Sequence, residues 1–194
     1  FADDVHRRFL TGFATTVTGR SPDEVAALSV GVGSSSELLE RLRAAGIEIP
    51  GDPMDQVVSA ALAVQRSWWS ERARVFRAHE GIGDELGTAI IIQVMVFGNR
   101  DDRSGSGVVF SRDPSTGAPG PVGDLMVGVQ GDDVVDGTGA TLPLAEMADR
   151  WPAAHKQLVD AVERLERANA DMVDVEFTVD RGRLFLLQCR PGRR

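Results

Sequence analysis

Through the first eighty residues, polar caps and apolar positions recur at helical spacing. Ser21-Pro22-Asp23-Glu24 combines an N-cap, a proline at the first helical position and a capping-box glutamate. Ser34 and Glu37 repeat the box, and Leu38, Leu39 and Leu42 supply an apolar face that ends at Gly46. Asp52-Pro53 opens a third helix, continued by Val57, Val58, Ala61, Leu62 and Ala63 toward Trp68 and Trp69. The two tryptophans read as a helix anchor in the core. Ser70 caps a further short helix through Val75 and Phe76.

Around Gly81-Ile82-Gly83 the pattern changes. Residues 88–97 are rich in branched apolar side chains and read as a buried strand. A flexible polar loop follows over 98–107, then a short strand over 108–111 and a turn-rich stretch over 113–123 with three prolines. Residues 125–129 form another strand. Residues 143–170 hold a long helix with Leu158, Val162 and Leu165 on one side, and 174–179 with 184–188 make a closing hairpin. Helices, then mostly antiparallel strands, then a helix and a hairpin predict an α+β fold. The boundary is placed at 80, between a helical subdomain (1–80) and a sheet-bearing part (81–194).

Composition narrows the field. With 42% hydrophobic and 26% charged residues the chain is globular. Its net charge of -8 disfavours nucleic acid and anionic membranes as main partners. Cys189 is the sole cysteine, so no internal disulfide forms, which fits a reducing, cytoplasmic setting. The longest apolar run, 89–97, is interrupted by Gln93 and is too short to span a bilayer. A start at Phe1 and an end in Arg-Pro-Gly-Arg-Arg suggest a piece of a longer protein.

The chemistry concentrates in the closing hairpin. Alternation over 174–179 puts Val175, Phe177 and Val179 toward a core and Asp174 and Glu176 on the opposite face, their Cα atoms roughly 6–7 Å apart. Such a pair is either a solvated strand face or a seat for a hard cation. Magnesium needs few protein ligands when a nucleotide supplies phosphate oxygens. A three-residue loop Asp180-Arg181-Gly182 is expected, pairing Gln188 with Asp174 and Leu186 with Glu176. A two-residue loop would turn Gln188 to the other face. Arg190, two residues on, suits a phosphate through its forked donors. Ser104-Gly105-Ser106-Gly107 reads as a hairpin loop or an anion cradle. It is neither a Walker A motif nor a dinucleotide fingerprint. Gln93-Val94-Met95 ends the apolar strand, as plain core or as a place where backbone groups can read an adenine edge. His6, His79 and His155 are scattered without zinc spacing.

Taken together, several segments resemble the pyruvate, phosphate dikinase family: Gly87-Thr88-Ala89, Gln93-Val94-Met95-Val96-Phe97-Gly98-Asn99, Ser104-Gly105-Ser106-Gly107-Val108, Phe110-Ser111-Arg112-Asp113-Pro114-Ser115-Thr116-Gly117, Gln130-Gly131-Asp132-Asp133-Val134-Val135, Asp174-Val175-Glu176-Phe177-Thr178 and Leu186-Leu187-Gln188-Cys189-Arg190. The resemblance implies part of an ATP-grasp nucleotide-binding domain, with 1–80 as a dikinase-type insertion. The whole enzyme would convert ATP, phosphate and pyruvate to AMP, pyrophosphate and phosphoenolpyruvate through a phosphohistidine on a separate domain. By resemblance Asp174 and Glu176 are the magnesium ligands, with Gln188 and Arg190 beside the phosphates. Gln93, Val94 and Met95 are the adenine-binding linker, Gly105 and Gly107 lie in the loop over the phosphates, and Asp124 and Asp133 are acidic positions near the metal. The implied partners are ATP, magnesium, the phosphohistidine and pyruvate-binding domains of the same enzyme, and a second copy in a homodimer. Asp124 and Asp132 stand where the family usually has Glu, Gly139 where it often has Arg, and Cys189 where it usually has Thr. The family's other phosphate-binding lysine and arginine would precede Phe1, so this piece alone is expected not to turn over ATP. A related ATP-grasp phosphotransferase, such as phosphoenolpyruvate synthase, and a non-catalytic nucleotide-binding module are the alternatives.

Overall fold

A computed structural model describes residues 1–131, 133 and 140–192. Among the described residues the chain has seven α-helices and one five-stranded antiparallel sheet, an α+β fold. It divides into two compact units, Phe1–Gln93 and Val94–Arg194.

In the first unit α1 (Ala2–Gly12) runs into a π-helical turn, Phe13–Val17. Helix α2 (Pro22–Ser29) starts where Ser21 accepts from the Glu24 amide, and α3 (Ser35–Ala44) where Ser34 accepts from the Glu37 amide. The Glu37 carboxylate accepts in turn from the Gly33 amide at 2.9 Å, so one glutamate ties the approach to the helix. Leu10, Phe13, Val25, Leu38, Leu42, Ile47 and Ile49 form the core. Helix α4 (Pro53–Ser67) buries none of its residues, and Trp69, just past it, is 53% exposed. The expected tryptophan anchor is therefore not in the core. In its place Arg77, on α5 (Glu71–Glu80), is buried, lies 4.0 Å from the Trp68 ring centroid and pairs with Asp84 at 2.6 Å. A guanidinium stacks on an indole face while its edge keeps ionic partners, so the rings need not be buried to be held.

The second unit is the sheet. Its strands are β1 (Gly105–Arg112), β2 (Pro119–Val127), β3 (Leu142–Pro143), β4 (Val173–Asp180) and β5 (Arg183–Pro191), in the order β3-β2-β1-β4-β5. A short helix α6 (Glu146–Arg150) leads into α7 (Pro152–Asn169). Helix α7 lays Ala154, Leu158 and Val162 against Val109, Leu125, Val173, Val175, Phe177 and Val179. Covering a Leu or Val side chain in this way contributes about 1.5–3 kcal/mol. One face of the sheet is thereby closed by α7, and the other carries the polar residues.

Three expectations need correction here. The proline-rich stretch over 113–123 is a turn only in its first half. The Asp113 carboxylate accepts from the Ser115 and Thr116 amides, Gly117 takes φ +72°, and β2 begins at Pro119. Residues 88–97 form no strand: Ile91, Ile92, Val94 and Met95 are 85%, 72%, 88% and 62% exposed. Strand-forming composition makes a buried strand only where a neighbour offers a ladder, and among the described residues no strand pairs with this one. The polar loop that follows is tied down. Arg100 pairs with Asp180 at 2.8 Å, Ser104 Oγ donates to Asp101 at 2.8 Å, and the Gly182 amide donates to the Arg103 carbonyl at 3.0 Å.

Candidate nucleotide-binding face

Strand alternation sends Val175, Phe177 and Val179 under α7 and leaves Asp174, Glu176 and Thr178 on the other face. The β4–β5 turn decides what stands beside them. Its loop has two residues, Arg181 and Gly182, both with positive φ (+52° and +79°), and Asp180 pairs with Arg183. This corrects the expected three-residue loop. Uninterrupted, that register would set Gln188 opposite Val175, on the wrong face. A β-bulge intervenes: Phe177 pairs with Leu186 but Glu176 pairs with Gln188, so Leu187 is the extra residue. Gln188 therefore faces Glu176, Arg190 faces Asp174, and all four share one face. The expected partners, Asp174 for Gln188 and Glu176 for Leu186, are each replaced.

Register carries the row across the sheet. Glu176 pairs with Val108 and Val108 with Asp124, so Asp124, Val108, Glu176 and Gln188 lie in one line. Two strand spacings, roughly 10 Å, separate Asp124 from Glu176 at their Cα atoms. The Arg190 guanidinium donates to Glu176 Oε1, and its Nε stands 4.0 Å from Asp174 Oδ2. Asp174 Oδ1 is buried and has no hydrogen-bond partner among the described residues. A buried carboxylate oxygen without a donor is costly. It is also the acceptor-only ligand that a hard cation takes. Among the described residues no group of three or more His, Cys, Asp or Glu is placed to hold a metal. A cation here would need oxygens from its ligand as well, and that is how magnesium is held beside phosphates.

One row further along, Ser106 and Thr178 share a buried hydroxyl pair at 3.0 Å. Gly98 lies over it. A Cβ on Gly98 would stand 2.2 Å from Ser106 Oγ and 2.3 Å from the Val129 carbonyl, so the segment 96–98 is seated on the acid-bearing face. Val94 and Met95 stand just before this seat, exposed, and Gln93 is the last residue of the first unit.

Gly105 and Gly107 are not in a loop. They sit in β1, between β2 and β4. A Cβ on Gly107 would stand 2.5 Å from the Asp124 carbonyl and 2.6 Å from Phe177 Cζ; one on Gly105 would stand 2.5 Å from the Met126 carbonyl and 2.9 Å from Trp151 Cη2. Both glycines are explained by the aromatic rings beneath them. Ladder hydrogen bonds to two neighbours leave a central strand few amides for an anion. Asp133 accepts from the Gln130 amide at 3.2 Å. Asp132, Val134, Val135 and Gly139 lie outside the described residues. A cleft of about 710 Å³, between 112–117 and the end of α7, includes none of the four hairpin residues, and its Arg112 is taken by Glu166 at 2.6 Å.

A sheet with one apolar face backed by a long helix, and two carboxylates, an amide and a guanidinium gathered on its other face, defines an α+β domain with one polar working face. Comparison with known proteins makes the class particular. Residues 49–143 and 144–194 match the family described as pyruvate phosphate dikinase, AMP/ATP-binding domain. The chain is 42% identical over 164 residues, 81% of its length, to pyruvate, phosphate dikinase of Clostridium symbiosum. It is 38% identical over 213 aligned positions, covering 100% of its length, to pyruvate, phosphate dikinase 2 of Oryza sativa subsp. japonica. The chain belongs to the pyruvate phosphate dikinase AMP/ATP-binding domain family. It spans 19% of the first relative and 24% of the second, about a fifth to a quarter of their length.

Proposed function

We propose that this chain supplies the magnesium-holding and adenine-contacting portion of the nucleotide-binding domain of a dikinase. The complete enzyme would convert ATP, phosphate and pyruvate to AMP, pyrophosphate and phosphoenolpyruvate, in the cytoplasm. The observation that carries this reading is the shared face: Asp174, Glu176, Gln188 and Arg190 at one end, and the seated segment leading from Val94 and Met95 at the other.

Asp174 and Glu176 would hold the magnesium ion, Asp174 through the carboxylate oxygen that has no donor among the described residues. Magnesium supplies charge neutralisation of the phosphates. Arg190, whose guanidinium donates to Glu176 Oε1, would offer its remaining parallel donors to phosphate oxygens. Gln188 offers an amide donor beside it. Asp124, in the same row, would add negative charge to this face. Gln93, Val94 and Met95 present backbone groups to the adenine edge, and Asp133 helps shape the segment after β2 through the Gln130 amide. Phosphoryl transfer depends on positioning and electrostatic stabilisation, and these residues provide both. The accepting histidine and the pyruvate site belong to other domains of the proposed enzyme, whose whole would pair with a second copy. The chain alone is expected not to turn over ATP.

Calorimetric titration of ATP with and without magnesium tests the reading. Binding should require magnesium in the wild-type chain and be lost in Glu176→Ala. Equal affinity in the variant would contradict it.

A further inference from the structure

One contact in the second unit does what a strand would do. The Gln130 side chain accepts from the Gly98 amide through Oε1 at 3.0 Å and donates to the Val96 carbonyl through Nε2 at 2.9 Å. Those two backbone groups lie on the same side of the segment, two residues apart, and a neighbouring β-strand would bond them in the same pattern. Residues 94–97 have no such strand among the described residues, so one amide side chain replaces it. The clamp is itself held. The Gln130 backbone N–H donates to the Asp133 carboxylate at 3.2 Å, and Ser106 Oγ donates to the adjoining Val129 carbonyl at 3.2 Å. Gly98 fits beneath with no room for a Cβ.

We infer that Gln130 is a positioning residue for nucleobase recognition: its amide fixes the backbone at Val96 and Gly98 and thereby aims the exposed Val94 and Met95 over the acid-bearing face. This rests on the reading that the base meets those two residues. Both bonds use the side-chain amide, whose oxygen accepts while its nitrogen donates. Glutamate keeps the acceptor for Gly98 and loses the donor for Val96, whereas alanine loses both.

The test uses two probes, MgATP and magnesium tripolyphosphate, which carry the same kind of phosphate chain with and without a base. Two net hydrogen bonds are lost in Gln130→Ala, so MgATP should bind about ten-fold more weakly, while tripolyphosphate affinity stays unchanged. Gln130→Glu, close in shape to the native side chain, should also weaken MgATP selectively. Amide hydrogen exchange should quicken at Gly98 in the alanine variant and remain slow in the glutamate variant. A merely structural role would weaken both ligands alike or neither, and either result overturns the inference. Unchanged Gly98 exchange in Gln130→Ala overturns the clamp itself. A wild-type chain that binds tripolyphosphate as tightly as ATP removes the base from this face and the inference with it. A wild-type chain that binds neither overturns the nucleotide reading, with the exchange data still separating that failure from a failure of the clamp.

Discussion

Adding one methyl group at Gly107 separates two accounts of the glycines in β1. The new Cβ would stand 2.5 Å from the Asp124 carbonyl and 2.6 Å from Phe177 Cζ. Phe177 is 1% exposed and packed in the core under α7, so it has little room to retreat. Forcing a methyl into such a site typically costs about 1–3 kcal/mol. Loss of backbone freedom in the unfolded chain returns about 0.4–1 kcal/mol. Gly107→Ala should therefore destabilise the second unit by about 1–2 kcal/mol, a fall in its melting temperature of roughly 5–15 °C for a unit of this size. Calorimetric melting of the wild type and variant reads the shift. Gly12→Ala is the control, since nothing lies within 4 Å of its Cβ and alanine favours a helix, so it should melt no lower than wild type. A Gly107→Ala chain of undiminished stability that loses nucleotide binding would refute the packing account and restore a phosphate role for the glycine.

Ser106→Ala should cost about 1–3 kcal/mol by leaving the buried Thr178 hydroxyl and the Val129 carbonyl without their partner, and Ser106→Ala with Thr178→Val should recover part of it in denaturant titration. Full additivity of the two losses would contradict the shared bond. The Glu166 carboxyl, held below the usual glutamate range by the Ser111 hydroxyl and then by Arg112, contributes stability that is present above the ordinary carboxylate value and lost as pH falls through its lower folded value. Carbon-detected NMR titration should find its midpoint below that of a free glutamate, and a midpoint above it would refute the assignment. Burial pushes the Cys189 thiol up, with Asp174 adding to the rise, so alkylation of Cys189 at neutral pH should run slower than that of a free cysteine. A rate equal to or above that of the free thiol contradicts the local geometry.

Caps were the most legible feature of the chain. Ser21, Ser34, Asp52 and Ser70 each accept from the first turn of the helix they were expected to open, because capping is local chemistry. The period-two alternation over 174–179 likewise placed Asp174 and Glu176 opposite the core. Register was not legible from the loop alone. The two-residue turn and the Leu187 bulge shift the pairing in compensating ways, and a bulge has no fixed residue signature. The stretch over 88–97 misled because an apolar β-rich run reports what it can pair with, not what is there to pair. The glycines of β1 misled in the opposite sense. Two glycines alternating with serines look like a loop, yet their missing side chains make room for Phe177 and Trp151, residues 70 and 46 positions away from the glycines they meet. Gln130 carried no expected role at all. A side chain acting as a strand is visible only once its two backbone partners are in place.

Whether the carboxylates of β4 hold the nucleotide's cation is most directly measured by paramagnetic broadening, with manganese in place of magnesium and ATP present. Backbone amide signals of Asp174, Glu176, Gln188 and Arg190 should broaden first, with Asp124 next along the row, and the effect should vanish in Glu176→Ala. Broadening centred instead on the cleft beside Asp113 and Asp171, or spread evenly over the acidic surface, would contradict the assignment of this face.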